Sequence, residues 1–175
     1  GWNARETVMR SPLLPPHERE GYATASEALL NQIQQRFDAV DSVPIRLHGD
    51  CHNGNILWTE EGPHFVDLDD CRNGPAVQDL WMLLDGDRNE RSVQLSAMLD
   101  GYSLFRELDL RELALIEALR GLRMVHYNGW LAGRWDDTAF PAAFTWAESP
   151  HYWSQHVQDL LRQLDALAEP PLRLY

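Results

Sequence analysis

Lysine is absent from this chain. All 15 of its basic side chains are arginine, set against 27 acidic ones, for a formal net charge of −12. A chain so acidic gains no electrostatic help in approaching a nucleic acid or an anionic membrane surface, which excludes a general DNA or RNA binder. The same carboxylates suit a hard cation such as Mg²⁺, so a phosphate ligand held through a metal is not excluded. Cysteine is nearly absent too: Cys51 and Cys71 are the only two. That rules out a disulfide framework and points to a reducing compartment. His48, Cys51, His52 and Cys71 cluster in sequence, but without a Cys-x-x-Cys pair they match no common zinc spacing. Long apolar runs are lacking as well. The opening Gly1-Trp2-Asn3-Ala4-Arg5 has no signal-like stretch, and the densest apolar run, Leu80 to Leu84, is far too short to cross a bilayer. A soluble, cytoplasmic protein with no membrane partner is expected.

What is present is a chain of 175 residues, 44% hydrophobic, enough for one substantial core. Residues 1–21, with Pro12, Pro15, Pro16 and Gly21, read as an extended lead-in segment, and 22–175 as one domain. Thr24 and Glu27 have capping-box spacing ahead of a helix with the stripe Ala25, Leu29, Ile33, Phe37 and Val40, ended by Pro44. A short strand is expected over 45–48. Ile56-Leu57-Trp58 and His64 to Leu68 read as a hairpin across Glu61-Gly62-Pro63. Arg72-Asn73-Gly74-Pro75 reads as a loop leading to a helix near 76–85. Later helices are expected on the faces Leu95, Met98, Leu99, Tyr102, Phe105 and Leu115, Leu119, Leu122. Ser149-Pro150 should start a last helix with the face Trp153, Val157, Leu160, Leu164, Leu167. The fold class is α+β, mostly helical, with a small hairpin placed early.

The polar residues concentrate around that hairpin, in Leu47-His48-Gly49-Asp50-Cys51-His52-Asn53-Gly54-Asn55-Ile56-Leu57-Trp58 and Phe65-Val66-Asp67-Leu68-Asp69-Asp70. Asp50 lies in a glycine-flanked loop after a strand. Asn55 begins the next strand, and Asp67 ends the strand that should pair with it. Folding the hairpin brings Asn55 and Asp67 toward one another, with Asp50 across from them. Two carboxylates and an amide oxygen at one end of a sheet suit Mg²⁺, which keeps waters and shares its sites with substrate phosphates. In phosphoryl transfer the protein chiefly positions groups and neutralises charge, and this cluster supplies those groups and little else. Any one Asp, Asn or Gly here is by itself an ordinary loop former. The ordered string is what distinguishes the region.

That string resembles the catalytic loop of the aminoglycoside phosphotransferase and choline kinase superfamily, which shares the protein kinase fold. The closer resemblance is to the stress response kinase A family of bacterial Ser/Thr protein kinases. It extends through Arg72-Asn73-Gly74-Pro75-Ala76-Val77-Gln78-Asp79-Leu80-Trp81 and into Tyr152-Trp153 and Glu169-Pro170-Pro171-Leu172. The resemblance implies the C-terminal catalytic lobe of a kinase using MgATP. Asp50 is then the catalytic base, and Asn55 and Asp67 hold the metal, with Asp67 in the role of the Asp of an Asp-Phe-Gly motif. His52 meets the nucleotide phosphate or shapes the loop by a hydrogen bond. His48 pins the loop from inside, Asp79 bonds its backbone, and Asp69 adds local negative potential or touches a second metal. A protein bearing Ser or Thr is the implied acceptor, and a monomer is expected.

The chain departs from the family in one region. No glycine-rich phosphate loop precedes His48, and no lysine is present to grip phosphates. The implied reading is a fragment whose N-terminal lobe lies elsewhere in the same polypeptide, inactive alone. Two other readings stay open: a phosphotransferase acting on a small metabolite such as choline, homoserine or an aminoglycoside, and a non-catalytic kinase-fold binding module.

Overall fold

The computed structural model describes residues 1–175, as helices and 3-10 turns with four short strands. The chain is α+β and mostly helical, as its periodicities predict. It divides into two compact units. One comprises Gly1–Asp38 and Glu117–Glu169; the other comprises Ala39–Ile116 and Pro170–Tyr175.

The first unit is helical: α1 (Trp2–Arg10), α2 (Arg19–Ala39), α5 (Ile116–Gly133), α6 (Ala139–Ala143) and α7 (Pro150–Ala168). α7 begins where Ser149-Pro150 predicts, and it buries Trp153, Val157, Leu160 and Leu167 from the expected stripe, with Leu164 packed partly against them. α2 contributes Tyr22, Ala25, Leu29, Leu30 and Ile33 to the same core. Each large apolar side chain removed from water there contributes about 1.5–3 kcal/mol.

Two expectations fail in this unit. Residues 1–21 are not extended: they hold α1 and a 3-10 turn, Pro16–Glu18, and the prolines sit between and at the start of these elements. α1 forms because it has a core to enter. Val8 is completely buried, and the Arg5 guanidinium donates to Ser26 Oγ at 3.1 Å and to the Ala23 carbonyl at 3.2 Å. Gly129 on α5 lets the two backbones approach so closely that a Cβ there would lie 2.4 Å from that of Ala4. Likewise α2 starts at Arg19, not at Thr24, because Arg19 Nη1 holds the Met9 carbonyl at 2.5 Å and Tyr22 is drawn into the core. Thr24 is therefore inside the helix rather than capping it.

His156 is buried in this unit beside Tyr22, Tyr152, Trp153 and Asn128, with Tyr152 stacked on its ring. Burial pushes its pKa down to about 4, and the Asp159 carboxylate only partly opposes this. An unfolded chain would protonate the same ring near 6.5. Between those values the unfolded state binds more protons, so the stabilisation is complete above about pH 6.5 and is lost as pH falls toward 4. Chemical denaturation across that window should show a loss on the order of 3 kcal/mol that His156→Gln removes. An unchanged pH profile in the variant would contradict the burial.

The second unit carries β1 (Ile45–Leu47), β2 (Ile56–Thr59), β3 (Gly62–Phe65), β4 (Arg72–Gly74), α3 (Gln78–Trp81) and α4 (Arg88–Tyr102). β2 and β3 form the expected hairpin in the register Ile56↔Phe65. Arg72-Asn73-Gly74, expected as loop, is instead a strand paired antiparallel with β1, Leu47 opposite Arg72. α4 starts on a capping box in which Asp87 Oδ1 accepts from the Glu90 amide at 2.9 Å and Glu90 Oε2 from the Asp87 amide at 2.7 Å. Leu95 is buried as expected, but Phe105 lies past the end of α4 and is 92% exposed. Residues 170–175 strap onto this unit: Arg88 Nη2 donates to the Pro171 carbonyl at 2.9 Å and Leu172 is buried. No helix of the chain is long and apolar enough to cross a membrane.

Candidate active site

Two antiparallel ladders bring the predicted residues together. Reading forward from β1 gives His48-Gly49-Asp50; reading backward from β4 gives Cys71-Asp70-Asp69. The Leu47↔Arg72 pair therefore sets the first run against the second. Their approach is close enough that a Cβ on Gly49 would lie 2.2 Å from the Asp70 carbonyl oxygen, and Gly49 has φ +89°. In the hairpin, the pairing continues beyond Ile56↔Phe65, because the Val66 amide donates to the Asn55 carbonyl at 3.0 Å. Asp67 is thus one residue past Asn55's partner. The ladder stops there because the chain turns into a 3-10 helix, Leu68–Asp70. Asp67 itself makes the turn, at φ 61°, ψ 65°, and is the only non-glycine residue of the chain with positive φ. Such a conformation costs of order 1–3 kcal/mol for a residue other than glycine.

The loop between β1 and β2 is held at several points. The His48 ring bridges both ladders: Nε2–H donates to the Val66 carbonyl at 2.8 Å, which leaves Nδ1 to accept from the Asp50 amide at 3.4 Å. Asp79, on α3, accepts from the His48 amide at 2.7 Å through Oδ2 and from the Gly49 amide at 2.9 Å through Oδ1. Asn55 is buried, and its Nδ2 donates to the Asp50 carbonyl at 3.1 Å. With the amide nitrogen so engaged, its Oδ1 is the atom left for a ligand. The His52 ring caps the turn Asn53–Asn55, Nδ1 accepting from the Gly54 amide at 3.0 Å, while Nε2 lies 3.5 Å from Asp50 Oδ2. The loop-shaping hydrogen bond expected of His52 is thus present.

Asp69 stands exposed on the 3-10 turn and is not drawn into this network, and Asp70 pairs with Arg72 Nη2 at 2.5 Å. No three His, Cys, Asp or Glu side chains converge on a common point. An oxygen donor set of one carboxylate and one amide remains, Asp67 with Asn55. It fits Mg²⁺, which keeps several waters and takes one or two protein ligands beside substrate phosphates. The Asp67 carboxylate has no hydrogen bond to the turn it caps. Cys51 is buried, and burial together with Asp79 and Asp50 pushes its thiol up to about 11, so it stays protonated at neutral pH.

Residues 3–116 match the family described as the phosphotransferase enzyme family. The chain belongs to that family. Over 170 residues it is 46% identical to stress response kinase A of Escherichia coli (strain K12) and 44% identical to serine/threonine protein kinase RdoA of Salmonella typhimurium. It is also 44% identical to stress response kinase A of Shigella flexneri. Each of these alignments covers 97% of this chain and 51% of the relative. The chain thus spans about half the length of the curated relatives it matches.

Within this chain, two residues of the loop's support escape sequence reading. Gln78 Nε2 donates to the Gly49 carbonyl at 3.0 Å, opposite the Asp79 clamp. Glu112, only 2% exposed, accepts from the Val77 amide at 3.0 Å, just ahead of α3. Burial pushes the Glu112 carboxyl above its ordinary range, and the bonds from the Val77 and Ala76 amides act the other way. Gln78 is adjacent to the recognisable Asp79 and could have been flagged on that ground. Glu112 carries no local signal, since its partner is 35 residues away.

Proposed function

We propose that these residues form the catalytic portion of an ATP-dependent Ser/Thr protein kinase of stress response, which moves the γ-phosphoryl group of MgATP to a protein hydroxyl. The observation that carries this reading is the ladder register that sets Asp67 one residue beyond the partner of Asn55, while Asn55 is bonded to the Asp50 carbonyl. In this reading Asp50 orients the acceptor hydroxyl and takes its proton. Asn55 Oδ1 and the Asp67 carboxylate hold Mg²⁺, and His48 and Asp79 keep the loop in place. Mg²⁺, when bound, neutralises charge on the phosphate oxygens. His52 keeps its Nε2 edge toward Asp50, where a phosphate oxygen can meet it. Asp69 contributes only to the local negative potential. The names of the relatives support a protein acceptor over a small metabolite.

With no lysine among these residues, the grip on the nucleotide phosphates would come from an N-terminal lobe of the same polypeptide, and residues 22–175 would serve as its C-terminal partner, in a cytoplasmic monomer. The 175-residue chain titrated with MgATP should then bind it with a Kd on the order of 1 mM or weaker. Micromolar binding would show that these residues hold the nucleotide by themselves. The acceptor is tested with the kinase as its gene encodes it. Incubation with γ-labelled ATP and separated protein and metabolite pools should place label on protein Ser or Thr. Label confined to metabolites would replace the protein acceptor by a small hydroxyl compound.

A further inference from the structure

Asp79 can clamp the loop only if α3 is itself fixed, and α3 has few means of fixing itself. It is four residues long, and no side chain of its own N-terminal turn caps it. A single helical turn is not self-sustaining in water, because nucleation is unfavourable. Its first amides bond only to the turn just before it, Gln78 to the Pro75 carbonyl at 3.0 Å and Asp79 to the Ala76 carbonyl at 3.3 Å. The Val77 amide, at the N-cap of α3, takes its partner from far along the chain. Glu112 lies in the 3-10 turn Leu110–Leu115, is 2% exposed, and sets Oε2 3.0 Å from the Val77 amide. A carboxyl group buried to that extent needs hydrogen-bond donors, and the Val77 and Ala76 amides just ahead of α3 supply them.

The next two residues after Val77 are the ones that hold the loop. Gln78 holds the Gly49 carbonyl at 3.0 Å, and Asp79 holds the Gly49 amide at 2.9 Å and the His48 amide at 2.7 Å. From Glu112 to the residue before Asp50, the connection is a sequence of short hydrogen bonds and adjacent peptide units. Glu112 touches none of Asp50, Asn55 or Asp67. We infer that Glu112 is a positioning residue: its buried carboxyl group fixes the start of α3, and α3 fixes His48 and Gly49 ahead of Asp50. The effect on phosphoryl transfer rests on the kinase reading above; the link from Glu112 to the loop does not.

The two parts are tested separately. Amide hydrogen exchange followed by NMR on the folded chain reads the link. Glu112→Ala should speed exchange at Val77, His48 and Gly49 by about tenfold or more, with protection in α7 unchanged. Glu112→Gln keeps an acceptor oxygen in place and should restore protection to within about threefold of wild type. Unchanged exchange at His48 and Gly49 in Glu112→Ala would overturn the inference whatever the protein catalyses. If that variant does not fold, wild type decides. Across a denaturant series the three amides should open together, and a Val77 amide that opens well before the other two would sink the idea. In the encoded kinase, Glu112→Ala should lower kcat by about tenfold with the nucleotide KM within about twofold, and Glu112→Gln should recover it. Faster exchange with unaltered kcat would overturn the catalytic consequence. A wild-type enzyme that transfers no phosphoryl group would instead indict the kinase reading and leave the exchange result standing.

Discussion

On the proposed kinase reading, Asp50→Ala in the full-length protein should lower kcat by about 10²–10⁴-fold and leave the nucleotide KM within a few-fold, because a positioned general base contributes about that much to a proton transfer. The corresponding loss of transition-state stabilisation is about 3–5 kcal/mol. The variant should remain folded. Two of the bonds that shape the loop here use the Asp50 backbone: its carbonyl receives Asn55 Nδ2, and its amide is held by His48 Nδ1. Truncating the side chain leaves both in place, so a melting curve close to wild type should accompany the collapse in rate. Steady-state kinetics on a phosphorylatable protein, paired with thermal denaturation, reads both. A fall of less than about tenfold would take the proton-accepting role away from Asp50. A full cellular phenotype with the variant would favour the binding-module reading, in which the kinase fold recruits partners without chemistry.

Gly49→Ala is expected to act on the same site by a different route, through the backbone. Two independent constraints meet at this position. Its φ of +89° is one that side-chain-bearing residues rarely adopt, and an added Cβ would lie 2.2 Å from the Asp70 carbonyl oxygen. A carbonyl in the main chain of a turn cannot swing aside as a long side chain can. The strain and the clash together should cost about 3 kcal/mol. For a chain of this size that corresponds to a fall in Tm of roughly 6–12 °C. The damage should not stop at stability, since relief of the clash requires the Leu68–Asp70 turn to move off the loop, and Asp67 starts that turn. Scanning calorimetry on wild type and variant measures the first effect. A Tm unchanged within about 2 °C would mean that the loop and the turn do not touch in solution.

Where pattern and packing agree, the sequence was a good guide. The β2–β3 hairpin declared itself through two short apolar runs around Glu61-Gly62-Pro63, and α7 through Ser149-Pro150 and its stripe. The failures occur where tertiary contacts override composition. Arg72-Asn73-Gly74 reads as loop by every local criterion, and it is a strand only because β1 offers it a ladder. α1 was hidden by the prolines that follow it, and is stabilised by contacts of Arg5 and Val8 with residues far along the chain. At the site, the nearness of Asn55 and Asp67 along the hairpin follows from strand pairing and is open to inspection in the string itself. The support from Gln78 and Glu112 is not, because no periodicity links a buried carboxylate to a backbone amide 35 residues earlier.

The left-handed turn at Asp67 has a consequence for how this chain could be improved. Glycine would occupy that backbone position without penalty, and asparagine with less of one than most residues. Any search that rewards only heat resistance should therefore drift toward replacing the aspartate. On the kinase reading proposed above, robustness and chemistry compete at this one residue, and a sturdier protein obtained that way would be an idle one.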